Sequence, residues 1–435
     1  METLSSVAPW ASAAAQARLR ELETTLAGRD VLDAVRESIE AHRRAYDEDG
    51  VVLYAGTNTM TARARSVHDP ALSSRPSMGW PGEKFQAGLD HLDALEVLAP
   101  TLVADVMGGR FAEVRLQSAT LCNLAVYTAF ARPGDTIAVL PENANGHASH
   151  HAQGAAGIRG LRVVDLPYDP ARIDLDYERL PHVLRLERPA LVVVGASLML
   201  FPHDVAAVRA ACDEIGALLV YDASHVAGLL AGKAFQDPLR DGAHLITMST
   251  YKSFGGPPGG AIVTADHDIA RRVSRAAYPG LLANYDIGRL APLAVTAADL
   301  VATGQDYARR CMANAGALAA ALDAEGFTLA GSGRGWTASH HLAVDARDFG
   351  GGAEAARRLA AGGIHLSGIE LPYQAADEPT RGLRIGTQEI TRHGFGESAM
   401  PKIATLMRRL LVDKQDPADV LPDTTALRHT HRVNP

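Results

Sequence analysis

A mostly parallel β-sheet of the seven-stranded type, sandwiched by helices and followed by a smaller α+β C-terminal domain, is the α/β fold this sequence predicts. Three observations predict it. Short apolar runs of strand length recur through the middle of the chain, each separated from the next by a stretch with helical spacing, and that alternation marks a helix-covered parallel sheet. The chain has 435 residues, 47% of them hydrophobic, enough to bury the cores of two or three domains or subdomains. Two chemistry-bearing residues, Asp222 and Lys252, fall just past two of the apolar runs, and ligands of such sheets bind beyond the carboxyl ends of the strands.

In chain order, residues 1–50 are expected to form an N-terminal helical arm, because positions 13–45 keep helical spacing with little turn chemistry. Residues 51–300 are expected to form the large domain. It opens with the apolar run 51–54, followed to Gly82 by a loop rich in Thr, Arg and Ser with no clear element, which at that length reads as functional or poorly ordered. Strands are expected at 136–140, 161–166, 191–195, 218–221, 245–248 and 261–264. A hinge helix over 294–324 leads into the smaller domain, 301–415, with strands at 341–344 and 382–386 and a helix near 400–411. Residues 416–435, rich in Asp, Pro, Thr and His, read as a flexible tail, and its His429 and His431 as solvated side chains rather than metal ligands. No internal repeat is visible.

Composition narrows the function classes. A net charge of −8 argues against nucleic acid as a partner. No run approaches the eighteen or so apolar residues of a membrane span, and the first residues lack the basic start of a signal peptide, so a cytoplasmic location is expected. Cys122, Cys212 and Cys311 have no metal-ligand spacing and read as reduced, buried thiols; no metal site is expected.

Lys252 lies in Ser249-Thr250-Tyr251-Lys252-Ser253-Phe254-Gly255-Gly256. An amine at a strand end, among hydroxyls and ahead of a Gly/Pro loop, is what a Schiff base with pyridoxal phosphate (PLP) requires. A surface lysine in a loop has the same local sequence, so the weight comes from upstream. There a buried strand ends in Asp222-Ala223-Ser224-His225, whose carboxylate can pair with a protonated pyridine nitrogen and make the ring an electron sink. His225 is placed to reach the ring hydroxyl or the substrate. The phosphate is expected at a helix N-terminus, where free amides and the helix dipole favour an anion. Gln117-Ser118-Ala119-Thr120-Leu121-Cys122-Asn123 fits, with hydroxyls at Ser118 and Thr120 and the backbone of Ala119 between them.

Asp222 to Gly228, Thr250 to Ser253 with Gly255-Gly256-Pro257-Pro258-Gly259-Gly260, and Leu383-Arg384-Ile385-Gly386-Thr387 with Thr391-Arg392-His393-Gly394-Phe395 resemble the serine hydroxymethyltransferase family. Gly79-Trp80-Pro81-Gly82, Asn145-Gly146-His147-Ala148-Ser149-His150 and Tyr278-Pro279-Gly280 extend the resemblance over roughly residues 55–411 in unbroken order. It implies a fold-type-I PLP-dependent transferase. It further implies Lys252 as the internal aldimine, Asp222 as the pyridinium partner, His147 as the ring stacked on the cofactor, and Ser197 and His225 at the ring hydroxyl and carboxylate region. Ser118, Ala119, Thr120 and Ser249 join them on the cofactor. Arg384 would clamp the substrate α-carboxylate, for which a planar fork is the right shape, with Thr57 and Trp80 also on the substrate side. The loop around Gly280 would reach the phosphate of a neighbouring subunit, implying a homodimer with shared active sites.

The departures from the family pattern redirect the chemistry. Met78 stands where the family has a proton-handling glutamate, and Gln86, after Phe85, where it has a tyrosine. Gly56-Thr57-Asn58 replaces Ser-Glu-Asn, Tyr251 replaces the histidine before the lysine, and Pro258 an arginine. Methionine cannot transfer a proton, which argues against tetrahydrofolate-dependent transfer. The retained set can still hold an α-amino acid and stabilise a carbanion at Cα. The expected function is folate-independent aldol or retro-aldol chemistry on a β-hydroxy-α-amino acid, of aldolase or threonine transaldolase type, through a glycine quinonoid. His147, His150, His225 and Tyr251 are the candidate bases. Folate-dependent hydroxymethyl transfer, and beyond it aminotransferase or racemase activity, are the alternatives. The segments 63–75 and 370–380 are expected to shape the acceptor pocket.

Overall fold

The computed structural model describes residues 10–374 and 380–431. Seven strands form the central sheet: β1 (Phe111–Glu113), β2 (Thr136–Val139), β3 (Arg162–Asp165), β4 (Leu191–Val194), β5 (Leu218–Asp222), β6 (Leu245–Ser249) and β7 (Gly260–Thr264). Their spatial order is β1-β7-β6-β5-β4-β2-β3, with β7 antiparallel to both of its neighbours and every other pairing parallel. A second sheet, β8 (His341–Asp345), β10 (Gly382–Gly386) and β9 (Ser367–Ile369), is antiparallel and has β10 at its centre.

The central strands are mostly apolar because both of their faces are covered, with Asp222, Thr247 and Ser249 as polar exceptions. Val192, Val194, Leu219, Tyr221, Ile246 and Met248 join one buried cluster with Ala99 and Val103 of helix α3 (Asp93–Val106) and Leu293 and Leu300 of the long helix α5 (Leu290–Ala324). Their neighbours in the strands, Leu191, Val193, Val220 and Leu245, turn the other way onto Ala125 and Val126 of helix α4 (Ala119–Phe130). A further core joins the C-terminal end of α5 to β8, β10 and helix α6 (Met400–Leu411).

Several expectations need correction. Val51–Val52 pairs in parallel with Ile364–His365, and Val51 and Leu53 are buried in the C-terminal core, so the run expected to open the large domain is built into the smaller sheet's side. The stretch after it is not devoid of elements. Thr61 and Asp69 cap the short helices Ala62–Ser66 and Pro70–Ser73, and Gly79–Trp80 pairs with Glu83–Lys84 in a hairpin. The expected loose tail is helix α7 (Pro417–Thr430), capped by Asp416 and burying Val420, Thr424 and Leu427; residues 432–435 lie outside the described residues. β1 and β9, three residues each, carry too little periodicity to be read in advance.

Candidate active site

The carboxyl ends of β4, β5 and β6 and the N-terminus of α4 meet in one cleft. It is lined by Ser118, Ala119, Thr120, His147, Gly195, Ala196, Ser197, Asp222, Ser224, His225, Ser249, Tyr251 and Lys252. Gly195 belongs there for a steric reason. Its φ of +118° disfavours a side chain, and a Cβ would stand 2.2 Å from the carbonyl oxygen of Asp222.

Lys252 is held by a loop that closes on itself. The Thr250 N–H donates to the Gly259 carbonyl, the Thr250 hydroxyl to Pro257 O at 2.6 Å, and the Gly255 N–H to Lys252 O. Ser253 ties this loop to the neighbouring segment, donating to His225 O at 2.5 Å and accepting from the Gly228 N–H at 3.0 Å. Lys252 Nζ stands 3.1 Å from His225 Nε2. Burial lowers its pKa to about 8, against the pull of Asp222 and with some help from Arg384, so a useful fraction of the amine is neutral and nucleophilic near neutrality.

Asp222, at the end of β5, is buried and hydrogen-bonded at both oxygens. Its Oδ2 accepts from His150 Nε2 at 3.0 Å and Asn123 Nδ2 at 3.3 Å, and its Oδ1 from the Ser224 N–H at 2.9 Å. Burial alone would raise its pKa, but the His150 and Ser224 contacts outweigh it and hold the carboxyl below the usual carboxylate range. A ring nitrogen of His150 that donates to Asp222 leaves Nδ1 to accept from the Tyr127 hydroxyl at 2.6 Å. His150 is thereby committed at both nitrogens and leaves the set of candidate bases.

His147 lies at the cleft mouth with an exposed ring, and its Nδ1 accepts from the Ser149 N–H at 3.2 Å. Its neutral form therefore carries the proton on Nε2. His225 differs: Nε2 faces two donors, Lys252 Nζ and Arg384 Nη1 at 3.5 Å, so the lone pair is on the cleft side. Burial, then Lys252 and Arg384, push its pKa well below the ordinary histidine value, keeping it neutral. Arg384 also donates to Ser197 O at 2.7 Å and lines an adjoining cleft with His147, Ser197 and Glu370. Its Nε has no hydrogen-bond partner among the described residues, and Tyr54 lies under the guanidinium at 5.9 Å.

Three expected residues are not brought into the cleft of this chain. Trp80 is 51% exposed on its hairpin, beneath the Arg115 guanidinium at 4.9 Å, and lines a different pocket with Glu96 and Tyr285. Gly280 lies on the kinked segment Ala276–Leu281. Thr57 turns its hydroxyl to Glu389 Oε2 at 2.8 Å. The expected acceptor segments differ in turn: part of 63–75 is short helix, and residues 375–379 lie outside the described residues.

Other residues at the site went unread in the sequence. Asn123 and Tyr127 project from α4 onto the Asp222 network, one helical turn apart, a spacing visible once Ser118 is taken as the N-cap. Glu389 falls between two quoted motifs; burial raises its pKa to about 7 despite the Thr57 hydrogen bond.

The residues present fit PLP. The N-terminus of α4, capped by Ser118 and carrying the Thr120 hydroxyl, faces a buried carboxylate and an amine across one cleft, and His225 Nδ1 is buried there without a partner among the described residues. No group of His, Cys, Asp and Glu able to hold a metal ion occurs among the described residues.

A family model described as serine hydroxymethyltransferase matches residues 29–407. An α-methylserine aldolase of Variovorax paradoxus is 43% identical over 426 residues, covering 97% of this chain and 96% of that one. A serine hydroxymethyltransferase of Korarchaeum cryptofilum is 38% identical over 412 residues, covering 92% and 95%. Among solved structures, an L-threonine transaldolase from Pseudomonas fluorescens in its internal aldimine state superposes with a TM-score of 0.84 at 24% identity, covering 96% and 94%. At that identity the likeness speaks for the fold alone, fold type I, and this chain's seven-stranded sheet is in keeping with it.

Proposed function

The chain belongs to the serine hydroxymethyltransferase family of PLP-dependent enzymes, and from this premise we propose that it cleaves a β-hydroxy-α-amino acid without folate, α-methylserine being the type substrate. The observation that carries the reading is the grouping of three roles at one point. The amine of Lys252 and the guanidinium of Arg384 both lie within 3.5 Å of the neutral Nε2 of His225. The full-length likeness to α-methylserine aldolases supports the α-substituted substrate, and Met78, where the family has a proton-handling glutamate, supports independence from folate.

Bound PLP supplies an electron sink conjugated to Cα. Asp222, kept ionised by His150, Asn123 and Ser224, would pair with the pyridine nitrogen, and the N-terminus of α4 with Ser118 and Thr120 would hold the phosphate. His147, Ser197, Ser249 and Tyr251 line the cleft with Lys252 and would hold the cofactor ring there. Arg384 fixes the substrate carboxylate. His225 accepts the β-hydroxyl proton through Nε2 as the Cα–Cβ bond breaks, and Lys252 returns a proton to Cα. α-Methylserine then yields formaldehyde and alanine, with atoms balanced and no co-substrate consumed. Formaldehyde release in folate-free buffer tests the reading.

A homodimer with shared sites in the cytoplasm belongs to this reading. Helices α1 (Ala13–Leu26) and α2 (Val31–Arg43) bury no residue in the single chain, and α2 exposes Val31, Leu32, Val35 and Ile39 along one side. Trp80 and Phe85 stand out on the hairpin region in the same way. No described helix is long and apolar enough to cross a membrane.

Arg384→Ala is expected to act mainly on binding. Losing the partner of a desolvated carboxylate costs about 3 kcal/mol or more, so KM for the amino acid should rise by roughly a hundredfold while kcat falls less. Steady-state saturation curves read this directly, and an unchanged KM would remove Arg384 from the site.

A further inference from the structure

His341 opens β8, and His340 immediately precedes it. Leu342 and Val344 enter the C-terminal core, while His341 is directly opposite Gly386 and Ala343 directly opposite Arg384. Residues opposed across an antiparallel pair share a face, so His341 and Arg384 leave the small sheet on the same side, toward His225. The His225 and His341 rings meet edge to face, with centroids 5.1 Å apart and planes at 67°. His341 Nδ1 accepts the backbone N–H of Met199 at 3.2 Å, which puts the proton of the neutral ring on Nε2.

We infer that His341 is a positioning residue for His225, holding that imidazole with its Nε2 lone pair turned to Lys252 and Arg384. The inference rests on the reading of His225 as proton acceptor. His341 is completely buried, yet its Nε2 has no hydrogen-bond partner among the described residues, and neither has His225 Nδ1. Burying such groups unpaired is costly, and a leucine would fill the same space without that cost. What the imidazole adds is an edge anchored to the Met199 backbone, against which the His225 ring cannot turn. The groups facing the pair are Lys252, Arg384 and the His340 ring, 4.2 Å from that of His341. All are cationic or able to become so, and a protonated His225 or His341 would add repulsion. Burial, then His340 and Arg384, hold His341 well below the ordinary histidine value. Because β8 and β10 are hydrogen-bonded neighbours, the carboxylate clamp and the support for the base ride on one rigid unit.

The test compares His341→Leu, His341→Gln and His341→Asn. Asparagine can still accept the Met199 N–H at the Nδ1 position; leucine and glutamine cannot reproduce that anchor. In the PLP-free protein, ¹⁵N NMR of the histidine rings is expected to show His225 as a single Nδ1–H tautomer in wild type and His341→Asn, and as a tautomer mixture in the other two. In the holoenzyme, His341→Leu and His341→Gln should lower kcat about tenfold, shift the acid limb of the pH profile and leave KM within about twofold, with His341→Asn recovering most of the loss. If the leucine variant does not fold, the Asn and Gln pair carries the comparison. Unchanged His225 signals in His341→Gln overturn the inference, whether kcat is unchanged or falls together with thermal stability. Failure of the wild type to cleave a β-hydroxy-amino acid would overturn the functional reading instead, and the PLP-free spectra would still report on His341.

Discussion

Replacing Lys252 with alanine is expected to give a folded chain that cannot retain PLP covalently, so borohydride reduction leaves no pyridoxyl label and kcat/KM falls by about a thousandfold or more. The expectation follows from the setting of the amine. With a pKa of about 8 in place of the ordinary 10.5, roughly a tenth of the Lys252 amine is neutral at pH 7, against about 0.03% for an exposed lysine. Among the described residues no other lysine lines the cleft. The same shift has a consequence for stability. A pKa depressed by folding means that the folded chain binds fewer protons than the unfolded one between about pH 8 and 10.5, so this lysine destabilises the PLP-free protein below pH 8 and relaxes as pH rises through that window. The effect is of order 3 kcal/mol. Lys252→Ala should therefore stabilise the PLP-free protein at pH 7 and lose the rise of stability with pH. Denaturant midpoints at pH 7 and 10 measure it, and a variant that still takes the label would displace Lys252 from its role.

Asp222→Asn removes the charge while keeping the shape. A cofactor pyridinium would then lose its partner in a buried site, worth about 3–5 kcal/mol, which predicts a fall in kcat of roughly a hundred- to several thousandfold. His150 and Asn123 would still surround the side chain, so the local structure should persist. Tyr127→Phe, which removes only the far end of the same hydrogen-bond chain, should cost far less. An Asp222→Asn enzyme within tenfold of wild type would mean that the pyridine nitrogen is not held protonated by this carboxylate.

Much of the site was legible because its parts are local. Asp222 and Lys252 follow apolar runs with period and length that mark buried strands, and the Ser118 cap precedes an obvious helix; each can be read within about ten residues. What escaped depends on long-range pairing. Val51–Val52 finds its partner at Ile364–His365, three hundred residues on, and His341 meets His225 only because β8 and β10 turn one face to the large sheet. Asp416 and Pro417 carry an N-cap and N1 signal that the polar composition of α7 obscured, and the burial of Val420 and Leu427 decided for helix. Glu389 shows the same limit from the other side: an ordinary surface residue type by composition, it is buried against Thr57 by the fold.

Folate-free cleavage rests on Lys252, Asp222, His225 and Arg384 acting at one point. The most direct test is to incubate the purified, PLP-loaded enzyme with α-methylserine in folate-free buffer and quantify both products. Formaldehyde and alanine in equal amounts, unchanged by added tetrahydrofolate, are the predicted result. No cleavage of α-methylserine, with formaldehyde transferred from serine only when tetrahydrofolate is supplied, would contradict it.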